Sequence, residues 1–98
     1  MNQNDEPVRK LSEVFQELLK NQGLDDKMRK AKVLSMWKEI VGPLIARNTH
    51  HLKFDNNKLI VYVRSDALKQ ELIYMKQQLI QNIHQAINEE FIEDIIFY

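Results

Sequence analysis

The sequence predicts a small α+β domain, with helices packed on one face of a three-stranded sheet. In the N-terminal part, and again after residue 65, apolar residues recur every three or four positions, which is typical of amphipathic helices. Between those parts the apolar residues alternate with period two, and the chain closes on a β-branched and aromatic run, both typical of strands. The predicted order is helix, helix, strand, strand, helix, strand. An antiparallel sheet with helices on one face is the simplest two-layer arrangement of these elements.

The composition is that of one globular domain. A chain of 98 residues has the length of a single domain over 1–98, in which residues 1–6 are expected to be a flexible N-terminus. The absence of cysteine excludes a disulfide scaffold and cysteine-ligated metal sites. The opening ten residues contain no apolar segment like that of a signal peptide, and no apolar run is long enough to cross a membrane. We therefore expect a cytoplasmic protein without a membrane partner.

Two helices are predicted before the first strand. The first begins at residues 5–7, which suit a helix N-terminus, and ends at Gly23. Its apolar stripe consists of Val8, Leu11, Val14, Phe15, Leu18 and Leu19. The second is capped by Asp25 or Asp26, and its buried stripe consists of Met28, Ala31, Val33, Leu34, Trp37, Ile40, Val41 and Leu44. Because proline removes a backbone donor and disfavours helical geometry in the residue before it, we expect Pro43 to begin a short extra turn.

A β-hairpin is predicted after Ala46, with its turn at the asparagine-rich segment 55–58. If Phe54 opposes Leu59, alternate residues of the two strands share each face of the hairpin. The face expected to meet the core carries Leu52, Phe54, Leu59 and Val61. The second face carries Thr49, His51, Lys53, Ile60, Tyr62 and Arg64. A two-layer fold leaves that face without a helical cover, so it suits base stacking with phosphate contact or a protein partner, or else it is an ordinary half-exposed sheet surface.

The third predicted helix is capped by Ser65 or Asp66 and extends to residue 87. It buries Leu68, Leu72, Met75, Leu79, Ile83 and either Ala86 or Ile87. The last strand is the run Ile95–Tyr98, which is β-branched and aromatic.

Charge is distributed unevenly along the chain, although the formal net charge is zero. Residues 1–54 contain ten Lys and Arg against seven Asp and Glu, and residues 55–98 contain four against seven. Clustered cations on the second helix suit a phosphate backbone, although a solvated helix face carries such charges as well. The candidate nucleic-acid-binding residues are Lys27, Arg29, Lys30, Lys32, Lys38, Arg47, Lys53 and Arg64. The candidate partner-binding residues are Trp37, His51, Tyr62 and Arg64, of which Trp37 is also expected to anchor the core.

No catalytic, metal or cofactor site is predicted. His50 and His51 are adjacent, so on a regular strand they point to opposite faces and cannot chelate one ion together, and His84 lies on a distant helix. The acidic run near the C-terminus lacks calcium-loop spacing. The two glycines form no phosphate loop, and no serine lies in a nucleophile elbow. We therefore expect a protein that is not an enzyme, with no cofactor and no small-molecule substrate.

A distributed set of residues resembles one family over roughly residues 8–98. The set consists of Trp37, Ile40-Val41-Gly42, Ile45-Ala46, Thr49, the asparagine-rich turn, Leu59-x-Val61-x-Val63, Ser65, Glu71-Leu72, Leu79-Ile80, Ile83 and Asn88. This pattern is similar to that of the DciA-like proteins, which load or operate the bacterial replicative helicase. The resemblance implies a KH-like fold, binding to the hexameric replicative helicase and affinity for DNA. The chain lacks the Gly-x-x-Gly loop that grips nucleic acid in KH domains.

The resemblance and the residues together predict a non-enzymatic adaptor that binds the replicative DNA helicase and assists its loading or operation. We also expect weak, salt-sensitive binding of single-stranded DNA or RNA, because the net charge is zero. The alternative function is a KH-like RNA-binding or ribosome-associated module.

Overall fold

The structure, a computed structural model, describes residues 13, 14 and 24–98. Its contacts divide the chain into two units, with the boundary between Ala31 and Lys32. Glu13 and Val14 have helical backbone, whereas the rest of the first predicted helix and residues 1–6 lie outside the described residues. The described elements are α1 (Leu24–Ser35), α2 (Trp37–Val41), α3 (Pro43–Arg47), β1 (Thr49–Asp55), β2 (Lys58–Val63), α4 (Asp66–Tyr74), α5 (Lys76–Ile87) and β3 (Asp94–Phe97). The predicted α+β class with a three-stranded sheet is confirmed, and the single domain over 1–98 stays a prediction.

The sheet has the strand order β1-β2-β3, so β2 is its central strand. β1 and β2 pair antiparallel with Phe54 opposite Leu59, which confirms the predicted hairpin register. Asn56, with a φ of 55°, has the left-handed backbone that tight hairpin turns need. β3 pairs parallel to β2, so the prediction of an antiparallel sheet is wrong for this strand. The reason is the connection: α4 and α5 return the chain to the starting end of β2, so the next strand runs in the same direction.

The core is a cluster of buried apolar side chains contributed by the helices and by one face of the sheet. Its fully buried members are Val33, Leu59, Val61, Leu72, Leu79, Ile83 and Ile95. Trp37 is 6% exposed, which confirms its predicted place in the core. Ile80 and Ile92 join the cluster although the apolar spacing does not predict them there. Since burying one such side chain contributes about 1.5 to 3 kcal/mol, this cluster is the main source of the free energy that holds the helices on the sheet.

The second and third predicted helices are each broken. The predicted second helix becomes α1, α2 and α3, with breaks at Met36 and Gly42, and the third becomes α4 and α5, with a break at Met75. Met36 and Met75 have ψ values of 10° and 7°, outside the helical range, so the following helix presents a different stripe to the core. Pro43 begins α3, as predicted. Gly42 has a φ of 90° and a ψ of 167°, a combination that essentially only glycine adopts.

Several residues predicted to be buried are exposed. They are Met28, Ala31, Leu34, Leu44 and Met75, whereas of the alternatives Ala86 and Ile87 the second is buried. Leu34 lies about 100° from Val33 around the axis of α1, so it misses the buried stripe. Met28 lies on a turn of α1 that otherwise carries charged residues, and Leu44 and Met75 lie beside the helix breaks, where the stripe is interrupted. In the part of the chain that the structure describes, no helix has the length and apolar character needed to cross a bilayer.

Polar side chains fix the starts of α4 and β3. The Ser65 hydroxyl accepts a hydrogen bond from the N–H of Leu68 at 3.2 Å, so Ser65 is the cap of α4. Asp94 Oδ1 lies 3.0 Å from Lys76 Nζ and accepts a hydrogen bond from the N–H of Ile95 at 2.9 Å. The hydrogen bond from Lys76, together with that from Ile95, lowers the pKa of the Asp94 carboxyl below its ordinary value. The ion pair therefore fastens the start of β3 to the start of α5.

Candidate nucleic-acid interface

Six residues form an aromatic and cationic surface on the side of the sheet opposite the core, named here the open sheet face. They are His50, His51, Lys53, Ile60, Tyr62 and Tyr98. Strand alternation assigns Ile60 and Tyr62 to this side, because Leu59 and Val61 belong to the core cluster, and the other four residues contact Tyr62. A depression of about 300 Å³ lies over this face, and its lining residues come from the strands and from Tyr98. The predicted second face of the hairpin is thus extended by a residue that follows β3.

Tyr62 is the centre of the open sheet face. Its ring stacks on the ring of Tyr98, with centroids 5.3 Å apart and planes 27° apart. The rings of His50 and His51 lie with their centroids 5.8 and 5.4 Å from that of Tyr62. Lys53 Nζ lies 5.9 Å from the Tyr62 centroid, within cation–π range. Aromatic rings with adjoining cations are the combination on which proteins stack the bases of single strands.

The parallel pairing of β3 brings Tyr98 beside Tyr62. The N–H of Tyr98 donates to the carbonyl oxygen of Val61 at 2.9 Å, and the N–H of Val63 donates to that of Tyr98 at 2.8 Å. The β2–β3 ladder therefore continues past the end of β3. Ile60 lines the depression on the predicted face, but it is only 5% exposed, so it is a buried residue of that face rather than an accessible one. Tyr98 remains 56% exposed, which leaves its ring available to a ligand.

A β-bulge or similar irregularity interrupts the pairing of β1 with β2 between Thr49 and His51. An extra residue in one strand locally disrupts the ladder and redirects the side chains around it. As a result both imidazole rings contact Tyr62. The prediction that His50 and His51 point to opposite faces is therefore wrong, because it assumes a regular strand.

Thr49 and Trp37 belong to the core side of the sheet. The Trp37 Nε1–H donates to the Thr49 hydroxyl at 3.1 Å, and that hydroxyl donates to the carbonyl oxygen of Ile45 at 2.8 Å. The predicted place of Thr49 on the second face is wrong, because the irregularity in β1 directs its side chain toward the helices. The burial of Trp37 confirms its role as a core residue and leaves little of its ring for a partner.

Arg64 lies just beyond the end of β2. Its N–H donates to the carbonyl oxygen of Asn48 at 2.8 Å, and the residue is exposed. Within the described part of the chain, its side chain forms no ion pair. Because Arg64 follows Tyr62 by two positions, strand alternation places it at the margin of the open sheet face. Lys53 and Arg64 are thus the two predicted cations associated with this face.

Two of the cations predicted on α1 are paired with acids. Arg29 lies 3.5 Å from a carboxylate oxygen of Asp25 and 2.9 Å from one of Asp26. Lys30 Nζ lies 2.8 Å from the other oxygen of Asp26. The hydrogen bond from Lys30, with the positive charges of Lys30 and Arg29, lowers the pKa of the Asp26 carboxyl. The spacings of three and four residues are the signal for these pairs, and they reduce the positive charge that α1 offers to a phosphate.

The other predicted cations are exposed. Lys27, Lys32 and Lys38 form no ion pair among the residues that the structure describes. Lys38 and Arg47 line a shallow depression of about 360 Å³ along α2 and α3. The structure therefore places Lys38 and Arg47 at one depression, which their separation in sequence does not predict.

No group of three or more potential metal ligands occurs within residues 13, 14 and 24–98. His84 serves the fold, since its Nε2 accepts hydrogen bonds from the N–H groups of Phe91 and Ile92 at 3.2 and 3.0 Å.

Sequence reasoning does not identify His50 and Tyr98 as site residues. The signal for Tyr98 is strand alternation, since Tyr98 follows Ile96 by two positions and shares its face of the strand. This signal identifies the open sheet face only when β3 is known to pair parallel to β2. His50 has no comparable signal, because its direction depends on the irregular pairing of β1.

A protein-family model described as "Dna[CI] antecedent, DciA" matches residues 10–97 of the chain. The match includes every residue of the open sheet face except Tyr98. A comparison with curated proteins finds no match.

Proposed function

The chain belongs to the DciA family, and from this membership we propose that it is a non-enzymatic adaptor that binds the bacterial replicative helicase during its loading or operation. The family, described as the antecedent of Dna[CI], has a general role in DNA replication and helicase loading. The observation that carries the proposal is the family match over residues 10–97, nearly the whole chain. A hexameric helicase as partner, a KH-like fold and a cytoplasmic location belong to the same proposal.

Weak binding of single-stranded nucleic acid at the open sheet face is the second part of the proposal. The stacked rings of Tyr62 and Tyr98 support it, because every base has a π-face that such rings can receive. Lys53 and Arg64 supply cations for the phosphates on either side of a stacked base. Because the chain is neutral overall, only a few phosphates are contacted, and the affinity is modest and sensitive to salt. The depression beside Lys38 and Arg47 is a second position for a phosphate.

Size-exclusion chromatography with the cognate replicative helicase tests the adaptor proposal. Both proteins are mixed at micromolar concentration, and the expected result is that this 11.7 kDa chain elutes with the helicase rather than in its own later peak. A second run replaces the helicase with purified ribosomes from the same cells.

Co-elution with the helicase and not with the ribosome supports the adaptor function. Separate elution from the helicase at micromolar concentrations contradicts it. Co-elution with the ribosome alone supports the alternative RNA-binding or ribosome-associated module.

A further inference from the structure

The irregularity in β1 places two titratable rings against the centre of the open sheet face. His50 and His51 are both exposed, and both lie within 6 Å of the Tyr62 ring, measured between centroids, at 5.8 and 5.4 Å. On a regular strand one of them would lie on the core side. Histidine is the side chain whose charge changes between about pH 5 and pH 8. The face can therefore gain up to two positive charges as the pH falls.

From this arrangement we infer that protonation of His50 and His51 strengthens the binding of single-stranded nucleic acid at the open sheet face. The inference rests on the proposed function of that face and specifies its regulation. Each imidazolium adds an N–H donor and a positive charge next to the ring on which a base stacks. A phosphate that flanks a base on Tyr62 or Tyr98 then meets a third and a fourth cation beside Lys53 and Arg64.

The other charged groups at this face favour an anionic ligand. From β1, Lys53 and Asp55 border the depression, and Asp55 opposes Lys58 across the hairpin. From β2 and the residues after it, Tyr62 and Arg64 face or adjoin the site. After β3, the phenol of Tyr98 is the contributing group. Among the described residues that line the depression, Asp55 is the one acidic side chain and Lys53 the one basic side chain. Protonated histidines therefore add positive charge beside a lining whose charged side chains balance.

A nucleic acid fits this surface better than an acidic peptide does. The Tyr62 and Tyr98 rings are stacked with 27° between their planes, and the second of them is more than half exposed. A flat aromatic surface of this kind suits bases, which stack on such rings, whereas carboxylate side chains gain little from it. Phosphates at regular spacing along the strand match cations on both sides of the rings.

The size of the effect follows from counterion release. Each phosphate neutralised on a single strand contributes about −0.7 to the slope of log affinity against log salt. Two additional cations therefore make the slope more negative by up to about 1.4, which corresponds to an affinity gain of up to about 25-fold at 0.1 M salt. We expect a measured gain of about five- to twentyfold between pH 8.0 and pH 5.8, within that upper limit.

Fluorescence anisotropy with a labelled oligo(dT) tests the inference, because thymine itself does not titrate in this range. The affinity and its salt slope are measured at pH 8.0 and pH 5.8 for the wild type and for His50→Gln/His51→Gln. The double variant retains His84 alone among histidines, so it also measures any contribution from elsewhere. Lys53→Gln is the control, since it removes a cation that does not titrate here. His50→Arg/His51→Arg fixes both charges.

The expected result is tighter binding by the wild type at pH 5.8, equal affinities at the two pH values for the Gln double variant, and tight binding at both for the Arg double variant. Lys53→Gln is expected to bind more weakly at both pH values while keeping the pH dependence. Oligo(dT) binding that does not change with pH, or a pH dependence that survives in the Gln double variant, overturns the inference but leaves the proposed nucleic-acid function intact. Failure of every variant to bind oligo(dT) at either pH contradicts that proposed function itself. If acidic pH instead strengthens binding to the helicase alone, the face belongs to a protein partner and the inference is overturned.

Discussion

Trp37 is held in the core by packing and by one directed hydrogen bond. The ring is 6% exposed, and its Nε1–H donates to the hydroxyl of Thr49. That hydroxyl in turn donates to the carbonyl oxygen of Ile45, so the chain of hydrogen bonds fixes the direction in which Thr49 points. At the scale of single residues, this network holds the Thr49 side chain on the core side of β1, whereas His50 and His51 lie on the other side.

Trp37→Ala is expected to lower the free energy of unfolding by about 3 to 5 kcal/mol, because it removes a large buried ring and leaves a cavity. Trp37→Phe retains much of the ring volume and removes the N–H donor, so a smaller loss is expected. Urea unfolding of both variants measures the difference. If Trp37→Ala leaves the melting temperature unchanged but abolishes helicase binding, Trp37 is an interface residue and not a core residue.

The stability contributed by Asp94 depends on pH with a definite sign. Its pKa is lower in the folded chain than its ordinary value of 3.8, chiefly because Lys76 donates a hydrogen bond to the carboxylate. A lowered folded pKa adds stability above the unfolded pKa, and that stability is lost as the pH falls through the folded value. Asp94→Asn and Lys76→Gln are therefore expected to destabilise the protein at pH 7 and to match the wild type progressively below pH 3.8.

Urea unfolding between pH 7 and pH 2.5 measures this dependence. Lys69→Gln is the control, since Lys69 lies 3.8 Å from the Asp66 carboxylate, whose side chain is 97% exposed, and such a pair contributes little. A constant difference between Asp94→Asn and wild type over the whole range would show that the ion pair is not the cause.

At the scale of elements, the breaks at Met36, Gly42 and Met75 decide which apolar residues reach the core. Local chemistry predicts the starts of α3 and α4 well, because Pro43 and Ser65 act on neighbouring backbone groups. The breaks at the two methionines have no comparable local signal. Neither residue is a helix breaker, so intrinsic propensity does not predict either break.

The hairpin and the last strand also combine features that the local sequence predicts with features that it does not predict. Alternation and the asparagine-rich turn suffice to predict the register of β1 with β2, since both are local. The parallel direction of β3 and the irregular pairing at Thr49 depend on contacts between distant segments, so they are not visible in the spacing of residues. For this reason Lys53 and Tyr62 are predictable members of the open sheet face, whereas His50 and Tyr98 are not.

Ser65→Ala is expected to destabilise the protein by about 1 kcal/mol, because the N–H of Leu68 then loses its acceptor at the start of α4. Ser35→Ala is the matched control. The Ser35 hydroxyl donates to the carbonyl oxygen of Lys32 in an exposed setting, and its loss is expected to change stability by less than about 0.5 kcal/mol. Thermal unfolding of both variants checks the comparison, and equal effects would contradict the capping role.

At the scale of the whole molecule, the two faces of the sheet have different roles. One face is filled by the core cluster, and the other carries exposed rings and cations around Tyr62. The neutral net charge means that any attraction for nucleic acid is local to such a surface. The ion pairs of Arg29 and Lys30 weaken the case for α1, so the open sheet face is the stronger candidate.

The salt dependence of binding reports which cations take part. If two to four phosphates are neutralised, log affinity for a single strand is expected to fall against log salt with a slope of about −1.4 to −3. Lys53→Gln/Arg64→Gln is expected to make that slope shallower by about 1.4, whereas Lys27→Gln/Lys32→Gln leaves it nearly unchanged. The reverse pattern would place the site on α1.

The affinity of two matched double variants for oligo(dT) tests the central claim, that the open sheet face is the binding surface, most directly. Lys53→Ala/Tyr98→Ala removes one cation and a ring of that face that is 56% exposed, and it keeps Tyr62 in place. Lys69→Ala/Tyr74→Ala removes the same residue types from α4, where Tyr74 is 89% exposed. We expect the first variant to bind at least tenfold more weakly than wild type, about 1.4 kcal/mol, and the second to bind as wild type does. Equal affinities for the two variants would contradict the claim.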